Sequence, residues 1–318
     1  MNLKNEINCT LVVCTYNRGK SLETTLESLF SLDSLEDLVC EIIIVDNNSS
    51  DGTKKLIEKY IKLHGRLFRY VFESQQGVSF ARNAGIKAAL GEIIVFTDDD
   101  VIVEHDWLNN IWKNFKEYDC DAMGGRILPL YLEPPPLWIK NNEDLLGGPI
   151  VSYNYGEAVK IFDSDCMVPF VGANMAFKKK CFDELGNFRT DLGPSTGTMG
   201  DDTEFFLRLF NVGKKLYYAG NALVWHRTGK SRMNLRYLAK WFIAGGRYLE
   251  RMKWDSEIRS DNLNSFCGFP LCYVKVGVIS AISLILVVLN KRKFLKKWNE
   301  LFCSIGMIIE YRKNSFKK

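Results

Sequence analysis

Over its first 128 residues the chain alternates between two hydrophobic periods. Short continuous runs of apolar and β-branched residues occupy positions 10–14, 39–45, 68–72 and 92–97. Between them, residues 20–31, 52–64 and 78–90 place apolar side chains every three or four positions, and residues 104–118 do so after the fourth run. Unbroken stretches such as Ile42-Ile43-Ile44-Val45 and Ile93-Ile94-Val95-Phe96 suit strands buried on both faces. Strands alternating with helices of this length predict βαβ units around a mostly parallel sheet.

Polar clusters sit where the predicted strands end: Thr15-Tyr16-Asn17, the run from Asp46 to Gly52, and Asp98-Asp99-Asp100. Open α/β sheets bind ligands at the carboxyl ends of their strands, so three such clusters predict one crevice. From 129 to 168 the periodicity breaks. Pro134-Pro135-Pro136 and Gly147-Gly148-Pro149 mark an irregular segment that carries Tyr131, Trp138, Tyr153 and Tyr155, and a long loop of this kind is usually functional or mobile. Apolar and helical patterning returns at 171–185 and 202–212, and residues 232–253 read as one long helix.

The composition is that of an ordinary globular chain: 318 residues, 47% hydrophobic and 25% charged. A net charge of +4 is too balanced to indicate nucleic acid as a partner. That charge is unevenly placed, because residues 290–318 hold nine Lys or Arg and two Glu, a local charge of +7. Just before them, residues 271–289 contain one charge, Lys275, in 19 positions, which is borderline for a membrane span. Residues 293–311 then set Phe294, Trp298, Leu301, Phe302, Ile305, Ile308 and Ile309 among lysines. This predicts helices lying on an anionic membrane surface. A true membrane span, soluble-core helices or a homo-oligomer interface are the alternatives. Nine scattered cysteines without a CxxC pair, and a polar opening from Met1 to Asn8, suit a reducing compartment. The expected location is cytoplasmic, peripherally attached to the inner face of the cell membrane.

The acidic triplet carries the chemistry. At the end of an extended strand, residues i and i+2 point the same way, so Asp98 and Asp100 can share one ligand while Asp99 points elsewhere. Carboxylate oxygens suit Mg²⁺ or Mn²⁺; the alternative is a solvated acidic turn capping a helix. In the second cluster, Asp46 is the better ligand candidate, whereas Asp51 and Thr53 read as an Asx turn and helix cap. Asp201 or Asp202 can serve as a carboxylate base or as a cap of the helix that follows them.

Four strings occur in order: Val13-Cys14-Thr15-Tyr16-Asn17-Arg18, Val45-Asp46-Asn47-Asn48-Ser49-Ser50-Asp51-Gly52-Thr53, Gly77-Val78-Ser79-Phe80-Ala81-Arg82-Asn83-Ala84-Gly85 and Phe96-Thr97-Asp98-Asp99-Asp100. Together they resemble the family 2 glycosyltransferases of GT-A fold, over roughly residues 8–228. The resemblance implies a GT-A α/β domain. Its nucleotide-sugar half would span 1–128 and its acceptor half, with the catalytic base, 129–230; a helical, basic and apolar membrane-association region would follow at 231–318. It implies that Thr15, Tyr16, Asn17, Asp46, Arg82, Asp98 and Asp99 bind the nucleotide sugar, and that Asp98, Asp100 and His226 hold Mn²⁺ or Mg²⁺. Gly200-Asp201-Asp202-Thr203-Glu204-Phe205 is similar to the family's base motif, with Asp201 where Glu is usual. Alignment puts the base at Asp202, with Asp201 as the other candidate. Gly172, Asn174 and Trp138 would meet the acceptor. The implied activity is inverting transfer from a UDP- or dTDP-linked sugar to a glycan or lipid-linked acceptor in cell-surface polysaccharide or glycolipid synthesis. A non-catalytic nucleotide-sugar-binding protein and a sugar-phosphate nucleotidyltransferase are the rivals.

Overall fold

Alternating residues of the first strands feed two separate cores, which is why their sequences show no polar face. A computed structural model describes residues 7–34, 37–162, 169–255, 265–266, 269–286 and 290–315. The opening half runs β1 (Cys9–Thr15), α1 (Gly19–Phe30), β2 (Cys40–Asp46), α2 (Thr53–His64), β3 (Phe68–Phe72), α3 (Val78–Ala88), β4 (Ile93–Asp98), β5 (Val101–Val103) and α4 (Trp107–Tyr118). Leu11, Val13, Ile44 and Val95 point to one side, against Leu22 and Leu26 of α1, Ile57 of α2 and Trp107 and Ile111 of α4. Val12, Ile43, Val45, Ile94 and Phe96 point to the other, against Ala81 and Ile86 of α3. Each large side chain buried this way stabilises the fold by roughly 1.5–3 kcal/mol.

The strands β3-β2-β1-β4 are parallel. Their register sets Thr15 beside Asp46 and Cys14 beside Asp98. The three polar clusters therefore share one sheet edge, as the sequence pattern predicts.

The rest of the sheet is antiparallel. It continues β4-β8-β6-β9-β5, with β7 also on β9. The added strands are β6 (Ala122–Tyr131), β7 (Val159–Ile161), β8 (Met175–Lys178) and β9 (Leu216–Thr228). The segment expected to be irregular holds α5 (Leu137–Lys140), α6 (Glu143–Ile150) and β7. Pro136 caps α5, and Pro149 lies in α6. Residues 171–185, expected to be apolar and helical, divide into β8 and α7 (Lys180–Leu185), because Met175–Phe177 pairs with Ile94–Phe96 of β4. Then α8 (Asp201–Asn211) brings Phe205 and Phe206 to the second core beside Phe177 and Phe182.

Two compact units result. The first holds residues 1–130, 151–191 and 201–227, and the second 131–150, 192–200 and 228–318. The expected boundaries near 128 and 230 fall close to two of these crossings, but the units interleave. In the second unit, α9 (Leu235–Asp255), α10 (Leu271–Leu286) and α11 (Lys291–Ser315) join α5 and α6. Ile139, Leu146, Ile150, Leu238, Phe242 and Leu295 form its core. Helices α9 and α11 touch backbone to backbone at two glycines. A Cβ on Gly246 would lie 1.9 Å from the Cys303 carbonyl oxygen, and one on Gly306 would lie 2.1 Å from that of Ile243. Below this contact, fully buried Glu310 accepts from Nε of Arg247 at 3.0 Å and Nε of Arg251 at 2.9 Å. Among the described residues, no helix is long and apolar enough to cross a membrane. The end of the apolar stretch, residues 287–289, lies outside the described residues.

Candidate active site

The site grows from the carboxyl ends of β1, β2 and β4. After Thr15 the chain turns through exposed Tyr16 and Asn17, whose φ of 51° is left-handed. The Asn17 N–H donates to Ser49 Oγ at 2.9 Å, and its Oδ1 accepts from the Ser50 N–H at 2.8 Å. This ties the loop after β1 to the loop after β2. Asp46 is buried, accepting the Ser49 N–H at 2.9 Å and the Tyr70 hydroxyl at 3.1 Å. Asp51 accepts the Thr53 N–H at 2.9 Å, the turn role expected of it.

The acidic triplet divides, although only Asp98 lies in a strand and Asp99 and Asp100 form the turn to β5. One ligand atom each from Asp98, Asp100 and His226 lies within 4.8 Å of the others. Residues 98–100 join β4 to β5, and β5 pairs with β9 so that Val101 stands opposite His226. The Arg227 N–H donates to the Asp100 carbonyl at 2.8 Å, and His226 Nε2 lies 3.2 Å from Asp100 Oδ1. Two carboxylates and an imidazole are a chemically suitable donor set for Mn²⁺ or a similar divalent ion. Asp99 instead turns inward, accepting from Thr15 Oγ1 at 2.7 Å and Arg18 Nη1 at 2.9 Å. Burial pushes its carboxyl up to about 6 against the pull of Arg18.

Arg18 has no role in the sequence reading, although the first motif contains it. Its Nη1 also lies 2.8 Å from Asp100 Oδ2, and its side chain is 48% exposed. Asn47 is a second omission. Its amide donates to the carbonyls of Glu73 and Gln75 and accepts the Gly77 N–H at 2.8 Å, shaping the entry to α3. The signal for both was their place in the same polar clusters.

On α3, Arg82 is buried. Its Nη1 lies 2.5 Å from Asp201 Oδ2 and its Nη2 3.8 Å from Asp98 Oδ1. Asp201 is buried, while Asp202 is partly exposed. Asp202 accepts the N–H of Gly172 at 2.9 Å and of Thr203 at 2.8 Å. Burial first, and then the charge of Asp201, push the Asp202 carboxyl up to about 6, with Arg82 opposing. Cys14, in the same wall, is pushed up to about 12 by burial and stays an inert thiol.

Two acceptor assignments change. Asn174 is buried, and its amide is fully engaged: Nδ2 donates to the carbonyls of Arg126 and Ala222, and Oδ1 accepts the Trp107 indole N–H at 3.0 Å. It braces the framework and has no donor left for a sugar. Trp138 lies in the second unit, half-buried against that unit's apolar core. The close approach expected at Gly172 exists, but the group that approaches is the Arg82 guanidinium.

Comparison with known proteins places the family and the fold. Residues 10–186 match the family model described as glycosyl transferase family 2. The chain is 25% identical over 228 residues to the succinoglycan biosynthesis protein ExoM of Rhizobium meliloti (strain 1021), covering 72% of this chain and 69% of that protein. In fold it is similar to the mannosyltransferase PcManGT from Pyrobaculum calidifontis, solved with GDP-Man and Mn²⁺. That likeness has a TM-score of 0.62 at 19% identity and covers 98% of this chain and 88% of the other. It is also similar to S. aureus TarS 1-349 in complex with UDP, with a TM-score of 0.55 at 15% identity over 97% and 92% of the two chains. The fold is therefore GT-A. Because the family match runs over more than half of the chain, this protein belongs to glycosyl transferase family 2 and is a glycosyltransferase.

Proposed function

We propose that the protein is an inverting glycosyltransferase of cell-surface polysaccharide or glycolipid synthesis, with Asp202 as its base. The convergence of Asp98, Asp100 and His226 is the observation that carries this reading. The acceptor hydroxyl oxygen attacks the anomeric carbon from the face opposite the nucleotide. The carbon–oxygen bond to the diphosphate breaks, the nucleoside diphosphate leaves with the bonding pair, and Asp202 takes the hydroxyl proton. When bound by Asp98, Asp100 and His226, a divalent ion, Mn²⁺ or Mg²⁺, offsets the negative charge that develops on the leaving diphosphate. Thr15, Tyr16, Asn17, Asp46 and Asp99 shape the nucleotide side, and Arg18 adds a cation there.

The donor is a nucleotide-diphosphate sugar, UDP- or dTDP-linked in our reading. The GDP-Man and UDP of the two similar structures set the range to screen. The test is release of nucleoside diphosphate from UDP-, dTDP- and GDP-hexoses with Mn²⁺, Mg²⁺ or EDTA, using wild type, Asp100→Ala and Asp202→Asn. One donor turned over with metal, and by neither variant, is the expected result. Turnover that survives EDTA and Asp100→Ala would remove the metal assignment.

We infer peripheral contact with a membrane, which suits a lipid-linked acceptor. Helix α11 turns Leu295, Trp298 and Phe302 to its own unit's core, while Ile309 stays exposed. Among the described residues, four exposed apolar side chains cluster on α10, where Val276, Val278, Ile279 and Ile282 are 45–57% exposed, near the basic Lys291-Arg292-Lys293 in sequence. Flotation of the full chain with anionic but not zwitterionic vesicles, weakened in Ile279→Asp/Ile282→Asp, supports this reading. Equal recovery in the unbound fraction with both lipids counts against it.

A further inference from the structure

Five carboxylates gather at this end of the sheet: Asp98, Asp99, Asp100, Asp201 and Asp202. The guanidinium groups of Arg18 and Arg82 stand against them. Arg18 serves Asp99 and Asp100 from the solvent side. Arg82 serves Asp201 and Asp98 from within.

Arg82 is fixed on three sides. Asp201 holds Nη1 at 2.5 Å. The Phe188 ring lies 5.7 Å from the guanidinium carbon. The neighbouring Asn83 pins the Phe188 backbone, donating to its carbonyl at 2.9 Å and accepting its N–H at 3.0 Å. On the third side is Gly172, where a Cβ would sit 1.8 Å from Nη2. The guanidinium thus lies flush on a bare backbone whose own N–H donates to Asp202. One residue without a side chain seats the cation and orients the neighbouring carboxylate.

Two adjacent carboxylates at one helix start repel each other and compete for the same proton. The contacts distinguish them. Asp201 is buried in a charge-assisted bond, whereas Asp202 is partly exposed and held by the N–H groups of Gly172 and Thr203 and, at 3.4 Å, by the Thr203 hydroxyl. We propose that Arg82 is a positioning residue that divides this pair: it holds Asp201 as its buried partner, leaves Asp202 to take the acceptor proton, and requires glycine at 172 because the guanidinium fills that space. The proposal rests on Asp202 being the base. It also gives a reason for Asp rather than Glu at 201, since the shorter side chain still reaches the fork of Arg82. A lysine, one point charge on a flexible stem, does not span Asp98 and Asp201 together.

The test uses the full chain and the UDP-, dTDP- or GDP-hexose that the wild type hydrolyses, with Mn²⁺. Turnover is measured beside calorimetric binding of the matching nucleoside diphosphate. Arg82→Met is expected to lower kcat by about 100-fold, the scale of a misplaced general base, with nucleoside diphosphate affinity held within about threefold. Arg82→Lys restores little. Asp201→Asn alone loses less than about tenfold, and in the double variant Arg82→Met/Asp201→Asn activity recovers by at least tenfold, because the unpaired carboxylate is gone. That recovery separates positioning from mere support of the fold, and the double variant remains informative if Arg82→Met does not fold. A fall in nucleotide affinity that matches the fall in kcat, or no recovery in the double variant, overturns the proposal. Asp202→Asn distinguishes the two levels. If it turns over like wild type, the base reading itself is wrong; if it is inactive while recovery is absent, only the division of labour is wrong.

Discussion

Gly306→Ala separates intrinsic helix preference from packing in a single measurement. In a helix with open space, alanine for glycine stabilises by up to about 1 kcal/mol. At 306 the new Cβ would lie 2.1 Å from the Ile243 carbonyl oxygen and 3.0 Å from the Arg247 nitrogen, both backbone atoms of α9 that no rotamer change can move. Relieving the first contact to 3.0 Å displaces one helix by about 1 Å. Overpacking of this kind costs about 1–3 kcal/mol. The same displacement pulls Glu310 from Arg247 and Arg251, and a broken buried ion pair costs a further 3–5 kcal/mol when it is lost outright. Partial loss gives a net destabilisation of about 2–5 kcal/mol, read as a lower urea midpoint by circular dichroism. Gly245→Ala is the control, because its nearest neighbour is the Met199 sulfur at 3.6 Å; it should be neutral or slightly stabilising. A Gly306→Ala protein as stable as wild type would refute the backbone contact between α9 and α11.

Four further outcomes follow. Asp202 sits near 6, and a base must be ionised to act, so kcat falls as pH drops through about 6 and levels off above it. Its raised pKa also means that the fold disfavours the ionised form. That stability is present below the ordinary aspartate range and lost as pH rises through about 6, so Asp202→Asn raises the melting temperature at pH 8 by a gain that shrinks toward pH 4. Asn174→Ala strands the Trp107 indole and two carbonyls, costing about 2–4 kcal/mol in chemical denaturation with donor KM unchanged; a selective rise in acceptor KM at full stability would return it to the acceptor site. Mn²⁺ at 100 times its Kd should stabilise the wild type by about 2.7 kcal/mol and His226→Ala by far less, by differential scanning calorimetry; equal stabilisation of both would remove His226 from the metal site.

What the sequence revealed was local. The first four strands and the helices between them are continuous apolar runs and helical periods, and both are visible without tertiary context. The later strands hide. Gly124, Gly125 and Pro129 stand in β6, residues that local preference places elsewhere. In β9 the buried polar residues His226 and Thr228 interrupt the apolar alternation, one beside Asp100 and the other bonded to the Ile150 carbonyl. At the acidic triplet the expected strand alternation gives way to a turn at Asp99-Asp100, and it is the turn that sets Asp99 inward beside Thr15. For Asn174 the residue type misled, because a polar side chain in an apolar segment signals equally a ligand contact and a buried brace, and only its partners decide. Arg18 and Asn47 were visible as letters in motifs, but their bonds to Asp100 and Gly77 cross between clusters.

The metal-site geometry also has a consequence in time. Asp98 and Asp100 lie in the first third of the chain, and His226 enters only after more than two thirds of it has been made. The imidazole reaches the carboxylates through the pairing of β5 with β9, which comes late in synthesis. A nascent chain therefore presents an acidic turn with no nitrogen donor, and the full donor set appears only when β9 docks. In our reading of this cluster as the metal site, cation uptake waits for β9 to dock, and stalled or truncated products that end before β9 lack the nitrogen donor.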